Sequence, residues 1–110
     1  MGQSMASHVL AAGHPLYVFN RTPHKASALI NAGAVWCGSA AEAAARSEVV
    51  ISMLGYPDDV EAIYFGANGV LESARRGALL IDMTTSSPQL AARIAIEAES
   101  RGLCALDAPV

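Results

Sequence analysis

The residues best suited to bind a charged ligand lie in residues 17–26, YVFNRTPHKA, where an apolar run ends in three polar side chains. The Arg21 guanidinium matches a phosphate group through two parallel hydrogen bonds, and Asn20 and the Thr22 hydroxyl would add neutral donors. Lys25, one helical turn farther on, would add a second positive charge. The segment therefore predicts a phosphate site. The residues alone equally allow Arg21 to be an exposed turn residue and Thr22 to be only a helix cap.

Small or polar residues also follow the three later apolar runs, which leaves room for a ligand at each of these places. They are Leu54, Gly55 and Tyr56 after VVISM, Thr84, Thr85, Ser86 and Ser87 after ALLIDM, and Asp107, Ala108 and Pro109 after LCAL. Ligands bind at the carboxyl ends of the strands of a parallel sheet. We therefore expect these ends and residues 20–22 to form one site.

The elements that must position these residues alternate between helix and strand along the whole chain. Helices are indicated by the apolar spacing around Met5, by Ser39 with Glu42 as a capping box, and by Ser87 before Pro88. The strands are the apolar runs LYVF, AVW, VVISML, ALLIDM and LCALDAPV. This alternation predicts right-handed crossovers, and hence a Rossmann-like, doubly wound parallel sheet with helices on both faces. Such a sheet normally opens on its central strand, whereas this chain opens on a helix.

Length, charge and cysteine use limit the kinds of function. The chain has 110 residues, enough for one domain, and a formal net charge of -3. That charge gives no footprint for nucleic acid or an anionic membrane, and no apolar run reaches the ~20 residues of a membrane span. Cys37 and Cys104 stand far apart and are predicted to be buried, reduced thiols of a cytoplasmic protein. The three histidines lack ligand spacing, so we expect no metal site.

Two further residues resemble functional groups but have simpler interpretations. Asp82 ends an apolar strand, and we expect its carboxylate to cap the loop that follows. Tyr64 lies in a predicted helix and is interpreted as a packing residue.

The position of Arg21 in the predicted sheet indicates a particular phosphate. In a dinucleotide-binding fold, an acid after the second strand binds the ribose 2′-hydroxyl of NAD, whereas an arginine there suits the 2′-phosphate of NADP. The free N–H groups of the next helix would face the same anion. The sequence therefore predicts NADP as the cofactor, with NAD the less suited alternative.

Taken in order, these segments resemble the β-hydroxyacid dehydrogenases, and among them the 3-hydroxyisobutyrate dehydrogenase-like members. Met1-Gly2 is similar to the end of that family's glycine-rich phosphate loop, and MASHVLAAGH to the helix after it. NRT at residues 20–22, DMTTSSP at residues 82–88 and DAPV at residues 107–110 resemble three further motifs of the family. The resemblance covers the whole chain.

The resemblance implies roles for individual residues. Gly2 would let its helix pack close to the sheet, and Thr85 would lie near the nicotinamide. Leu54 and Gly55 would lie along a ribose, although many members have proline where this chain has Gly55. The implied cofactor site consists of Gly2, Asn20, Arg21, Thr22, Lys25, Leu54, Gly55 and Thr85. The residues that would lead into the substrate loop are Asp107, Ala108 and Pro109.

The resemblance also implies that residues 1–110 are a partial NADP-binding domain. The family's first, central strand is expected to be missing, as is its all-helical second domain, which carries the lysine that acts as general acid and base. No catalytic residue is therefore named in this chain. Two strands beside the missing one would have open edges, so the chain alone is expected to be marginally stable.

The parent enzyme implied by the resemblance is a homo-oligomer that passes a hydride between nicotinamide and a small 3-hydroxy acid, or reduces the matching semialdehyde. Two other hypotheses stay open, a non-catalytic nucleotide-binding module and a non-functional gene fragment. Among enzymes, 6-phosphogluconate dehydrogenases and imine reductases have similar cofactor domains and remain alternatives.

Overall fold

The computed structural model describes residues 2–84 and 87–108, and its elements follow the predicted alternation of helix and strand. A short 3₁₀ segment, Pro23–Ala26, leads into the second helix. The helices are α1 (Gly2–Ala11), α2 (Ser27–Asn31), α3 (Ala40–Ala45), α4 (Pro57–Phe65), α5 (Val70–Ser73) and α6 (Pro88–Ser100). The strands are β1 (Tyr17–Val18), β2 (Val35–Trp36), β3 (Val49–Ser52), β4 (Leu79–Asp82) and β5 (Cys104–Asp107).

All strand pairs are parallel, but they form two separate sheets. β1 pairs with β2, and β3, β4 and β5 form a second sheet in that order. The interruption falls between β1 and β3. This is the place where the resemblance puts the central strand of a doubly wound sheet.

The core lies on one face of the three-stranded sheet. Val50, Leu80 and Ala105 point to this face, since they occupy matching positions in the strand register. Four helices cover the face and supply most of the buried apolar side chains, among them Ala44, Val60, Tyr64, Val70, Leu71, Leu90, Ile94 and Ala98. This packing keeps the carboxyl ends of β3, β4 and β5 side by side.

The opposite face of the same sheet is apolar and largely uncovered by the residues that the structure describes. Val49 and Ile51 are 48% and 49% exposed, and Leu106 is 56% exposed. The prediction that Cys104 is buried is wrong, because its strand position directs it to this open face. Cys37 is buried, and both thiols are free.

The helix ends confirm most of the predicted capping. The Ser39 and Ser87 hydroxyls each accept a hydrogen bond from the backbone N–H three residues on, both at 3.1 Å. Thr22 precedes the 3₁₀ segment, but its side chain makes no capping hydrogen bond. The expectation of a Thr22 side-chain cap is therefore wrong. Pro23 begins a tighter helical turn there instead.

Candidate functional site

The predicted site residues that the structure describes lie at the carboxyl ends of β1, β3 and β5, and beside them at the start of α1 and in the 3₁₀ segment. Ser52, Asp82 and Asp107 occupy matching positions at the ends of three neighbouring strands. The loops that follow them, with Leu54 and Gly55 after β3, Thr84 after β4 and Ala108 after β5, thus begin along one edge. The predictions for Thr85 and Pro109 fall outside the described residues.

Arg21 contacts the helix that follows β3, although β1 and β3 belong to different sheets. Its Nη2 donates to Oδ1 of Asp59 at 2.9 Å, and Asp59 lies in the first turn of α4, four residues after Gly55. An exposed ion pair of this kind stabilises a protein by less than about 1 kcal/mol. The pair nevertheless shows that the end of β1 and the loop after β3 face a common space.

The backbone around Arg21 is held by a local turn. The Thr22 N–H donates to Oδ1 of Asn20 at 3.0 Å, and the Lys25 N–H donates to the Thr22 carbonyl at 3.1 Å. An Asn oxygen bonded two residues ahead is a common device for fixing a turn. It leaves the Arg21 side chain 75% exposed, and Lys25 is exposed as well. Both cations are thus accessible to an anionic ligand.

Gly2 and Gly55 provide space at this edge. A side chain on Gly2 would begin 3.5 Å from the Cβ of Met53, so α1 starts directly beside the residue that follows β3. A side chain on Gly55 would begin 3.5 Å from Oδ2 of Asp59. Both are ordinary van der Waals distances, so what these positions provide is the absence of a side chain.

A buried polar network joins the ends of β3 and β4. The Ser52 hydroxyl lies 2.7 Å from the Tyr64 hydroxyl and donates to Oδ1 of Asp82 at 3.0 Å. The same Asp82 oxygen accepts from the Thr84 N–H at 3.1 Å, which confirms the predicted loop cap. Burial raises the pKa of Tyr64 to about 12, with the Ser52 hydrogen bond opposing and the Asp82 charge adding to this shift. The phenol therefore stays protonated at neutral pH.

The network also fixes the loop after β3. The Thr84 hydroxyl accepts from the Leu54 N–H at 2.8 Å, and Thr84 is itself buried. The Leu54 backbone, next to Gly55, is thus tied to Thr84, two residues after the end of β4. The sequence analysis interpreted Tyr64 as a packing residue only and predicted no site contact for Asp59, so the contacts of both residues were missed.

The last strand places two of the predicted substrate residues beside this network. Asp107 is exposed, and the Ala108 N–H donates to the Asp82 carbonyl at 2.9 Å. Within residues 2–84 and 87–108, no three potential ligands group into a metal site. No helix in this same part of the chain is long and apolar enough to cross a membrane.

Comparison with known proteins gives relatives along the whole chain. Residues 1–110 match the family described as the NAD binding domain of 6-phosphogluconate dehydrogenase. An uncharacterized oxidoreductase of Bacillus subtilis, YkwC, is 52% identical over 110 residues, which are 100% of this chain and 38% of that protein. The chain therefore spans little more than a third of this relative's length.

Two solved structures share the fold. The 3-hydroxyisobutyrate dehydrogenase of Mycobacterium tuberculosis, solved with L-serine, is 38% identical with a TM-score of 0.91, covering 100% of this chain and 37% of that one. An imine reductase of Myxococcus stipitatus in complex with NADP+ is 28% identical with a TM-score of 0.87, covering 97% of this chain and 36% of that one. The Rossmann-like fold is thus shown independently of the sequence motifs.

Proposed function

Because the chain belongs to the family of the NAD binding domain of 6-phosphogluconate dehydrogenase, we propose that it binds NADP as the cofactor domain of an oxidoreductase. The observation that carries this proposal is the position of Arg21, exposed at the end of β1 and within 2.9 Å of the first turn of α4. An arginine after this strand suits the 2′-phosphate that distinguishes NADP from NAD.

The residues around Arg21 fit that phosphate. Asn20 fixes the turn that presents the guanidinium, and the exposed Lys25 adds a second positive charge nearby. Gly2 and Gly55 are proposed to let the dinucleotide approach the backbone, since neither carries a side chain. The imine reductase with 28% identity was solved with NADP+, which supports the choice of cofactor.

The reaction we propose follows from the relatives. The bound nicotinamide would supply or accept a hydride at the carbon that bears the hydroxyl of a small 3-hydroxy acid, or at the matching semialdehyde. This chain's own contribution is to bind and orient the cofactor. Thr85 is proposed to lie beside the nicotinamide, and Asp107, Ala108 and Pro109 are proposed to lead to the substrate. We expect the working enzyme to be a homo-oligomer.

An imine reductase is the second candidate, because a solved structure of that activity has a TM-score of 0.87 to this chain. The two activities differ in substrate and not in cofactor. Oxidation of 3-hydroxy acids and reduction of cyclic imines, assayed with the protein as its gene encodes it, distinguish them. Turnover of the imine alone would replace the first proposal with the second.

The cofactor proposal is tested with the variant Arg21→Asp, made in the protein as its gene encodes it. We expect the Kd of NADP to rise by at least tenfold and the Kd of NAD to change much less, because only NADP carries the phosphate. The matched control is Arg93→Asp, another exposed arginine in an ion pair, whose partner Glu61 lies at 3.2 Å. Equal losses for both cofactors would show that Arg21 does not bind the 2′-phosphate.

A further inference from the structure

Asp59 connects two parts of the proposed cofactor site. Its Oδ1 accepts from Nη2 of Arg21 at 2.9 Å, and its Oδ2 lies 3.5 Å from the point where a side chain on Gly55 would begin. The Asp59 side chain is 26% exposed, against 75% for Arg21. The carboxylate is therefore held against the protein, while the guanidinium extends into solvent.

We propose that Asp59 sets the selectivity between NADP and NAD, as the counter-ion that the 2′-phosphate displaces from Arg21. This inference rests on the proposed function. A guanidinium N–H that already donates to a carboxylate is not free to donate to phosphate. The phosphate carries the larger negative charge and wins the competition, but part of its interaction with Arg21 is offset by the loss of the Asp59 pair.

The binding of NAD does not require the Arg21–Asp59 pair to break. The ribose hydroxyl of NAD is neutral, so the Arg21–Asp59 pair can persist when NAD binds. Asp59 therefore weakens the binding of NADP selectively and brings the two affinities closer together. It acts through Arg21 and is a specificity-determining residue, not a catalytic one.

The experiment is Asp59→Asn, which keeps the shape of the side chain and removes its charge. We expect the Kd of NADP to fall by up to about fivefold, the upper end of the range of an exposed ion pair, and the Kd of NAD to stay nearly constant. Asp58→Asn is the matched control, because Asp58 is exposed in the same first turn of α4 and has the same charge. If both variants lower the Kd of NADP equally, the cause is the loss of any negative charge near the site, and the proposal is overturned.

A double-mutant cycle separates this inference from the proposed function. In an Arg21→Ala background, Asp59→Asn should no longer tighten NADP binding, because the pair that it releases is absent. If Asp59→Asn tightens binding equally in both backgrounds, the counter-ion role fails while the NADP proposal stands. If Arg21→Ala alone leaves the Kd of NADP unchanged, the proposed function itself fails.

Discussion

At the residue scale, Tyr64 is an ionisable side chain that lies in the core. Its side chain is 1% exposed, and burial raises its pKa from 10.0 to about 12. The folded protein thus holds the phenolic proton more tightly than the unfolded chain does. By linkage, this contribution to the free energy of unfolding is fully present below pH 10 and is lost as the pH rises towards about 12.

Tyr64→Phe is therefore expected to have two effects. It should lower the free energy of unfolding by about 1 kcal/mol at neutral pH, because Ser52 loses a hydrogen-bond partner. It should also reduce the loss of stability as the pH rises from 10.0 to about 12. Urea unfolding at neutral pH and across this alkaline range measures the two effects, with Tyr56→Phe as the control, since Tyr56 is 73% exposed. An unchanged alkaline loss in the Tyr64 variant would contradict the argument.

Residue types in the sequence pointed to Arg21 and Gly55 as candidate site residues, but not to Asp59. Arg21 and Gly55 were named from the sequence because ligands bind at the carboxyl ends of parallel strands, and their roles stay predictions. Asp59 could not be named in this way, because Asp58 and Asp59 are alike in sequence and both suit the helix dipole. The phase of α4 relative to β1 decides which carboxylate contacts Arg21, and that phase depends on packing between distant segments.

At the element scale, the order of helices and strands followed from apolar runs and capping residues. The capping signals were local, since the Ser39 and Ser87 hydroxyls act within one turn. The 3₁₀ start after Thr22 was not predicted, because Thr and Pro are compatible with either helix type. The link between the loops after β3 and β4 was also missed, since it joins side chain and backbone 30 residues apart.

That link leads to a prediction about Thr84. Thr84→Val keeps the shape of the side chain but leaves the Leu54 N–H without its acceptor, which should lower the free energy of unfolding by about 1–3 kcal/mol. It should also weaken NADP binding several-fold, because the loop with Gly55 is no longer tied to β4. Thr84→Ser retains the hydroxyl and should restore NADP affinity. Thermal unfolding and NADP titration of both variants test this, and equal affinity in the two would refute the positioning role.

At the scale of the whole molecule, the two separate sheets and the open apolar face favour association of the chain with other molecules. β1 and β3 are not joined by hydrogen bonds, and α1 has no buried residue in the described part of the chain. Val49, Ile51 and Leu106 contribute to an apolar surface on one side of the second sheet. Such surfaces promote association unless another element covers them.

We therefore expect residues 1–110, produced alone, to be marginally stable. Calorimetry should show an unfolding enthalpy well below the ~70 kcal/mol that a cooperative domain of this length gives, because apolar residues on one face of the second sheet are exposed. The chain should also bind a hydrophobic dye. Val49→Ser with Ile51→Ser should reduce the dye signal, whereas Ile96→Ser should not, since Ile96 is 69% exposed but lies on α6, away from the open sheet face. A full-sized cooperative transition without dye binding would show that the two sheets form a stable unit by themselves.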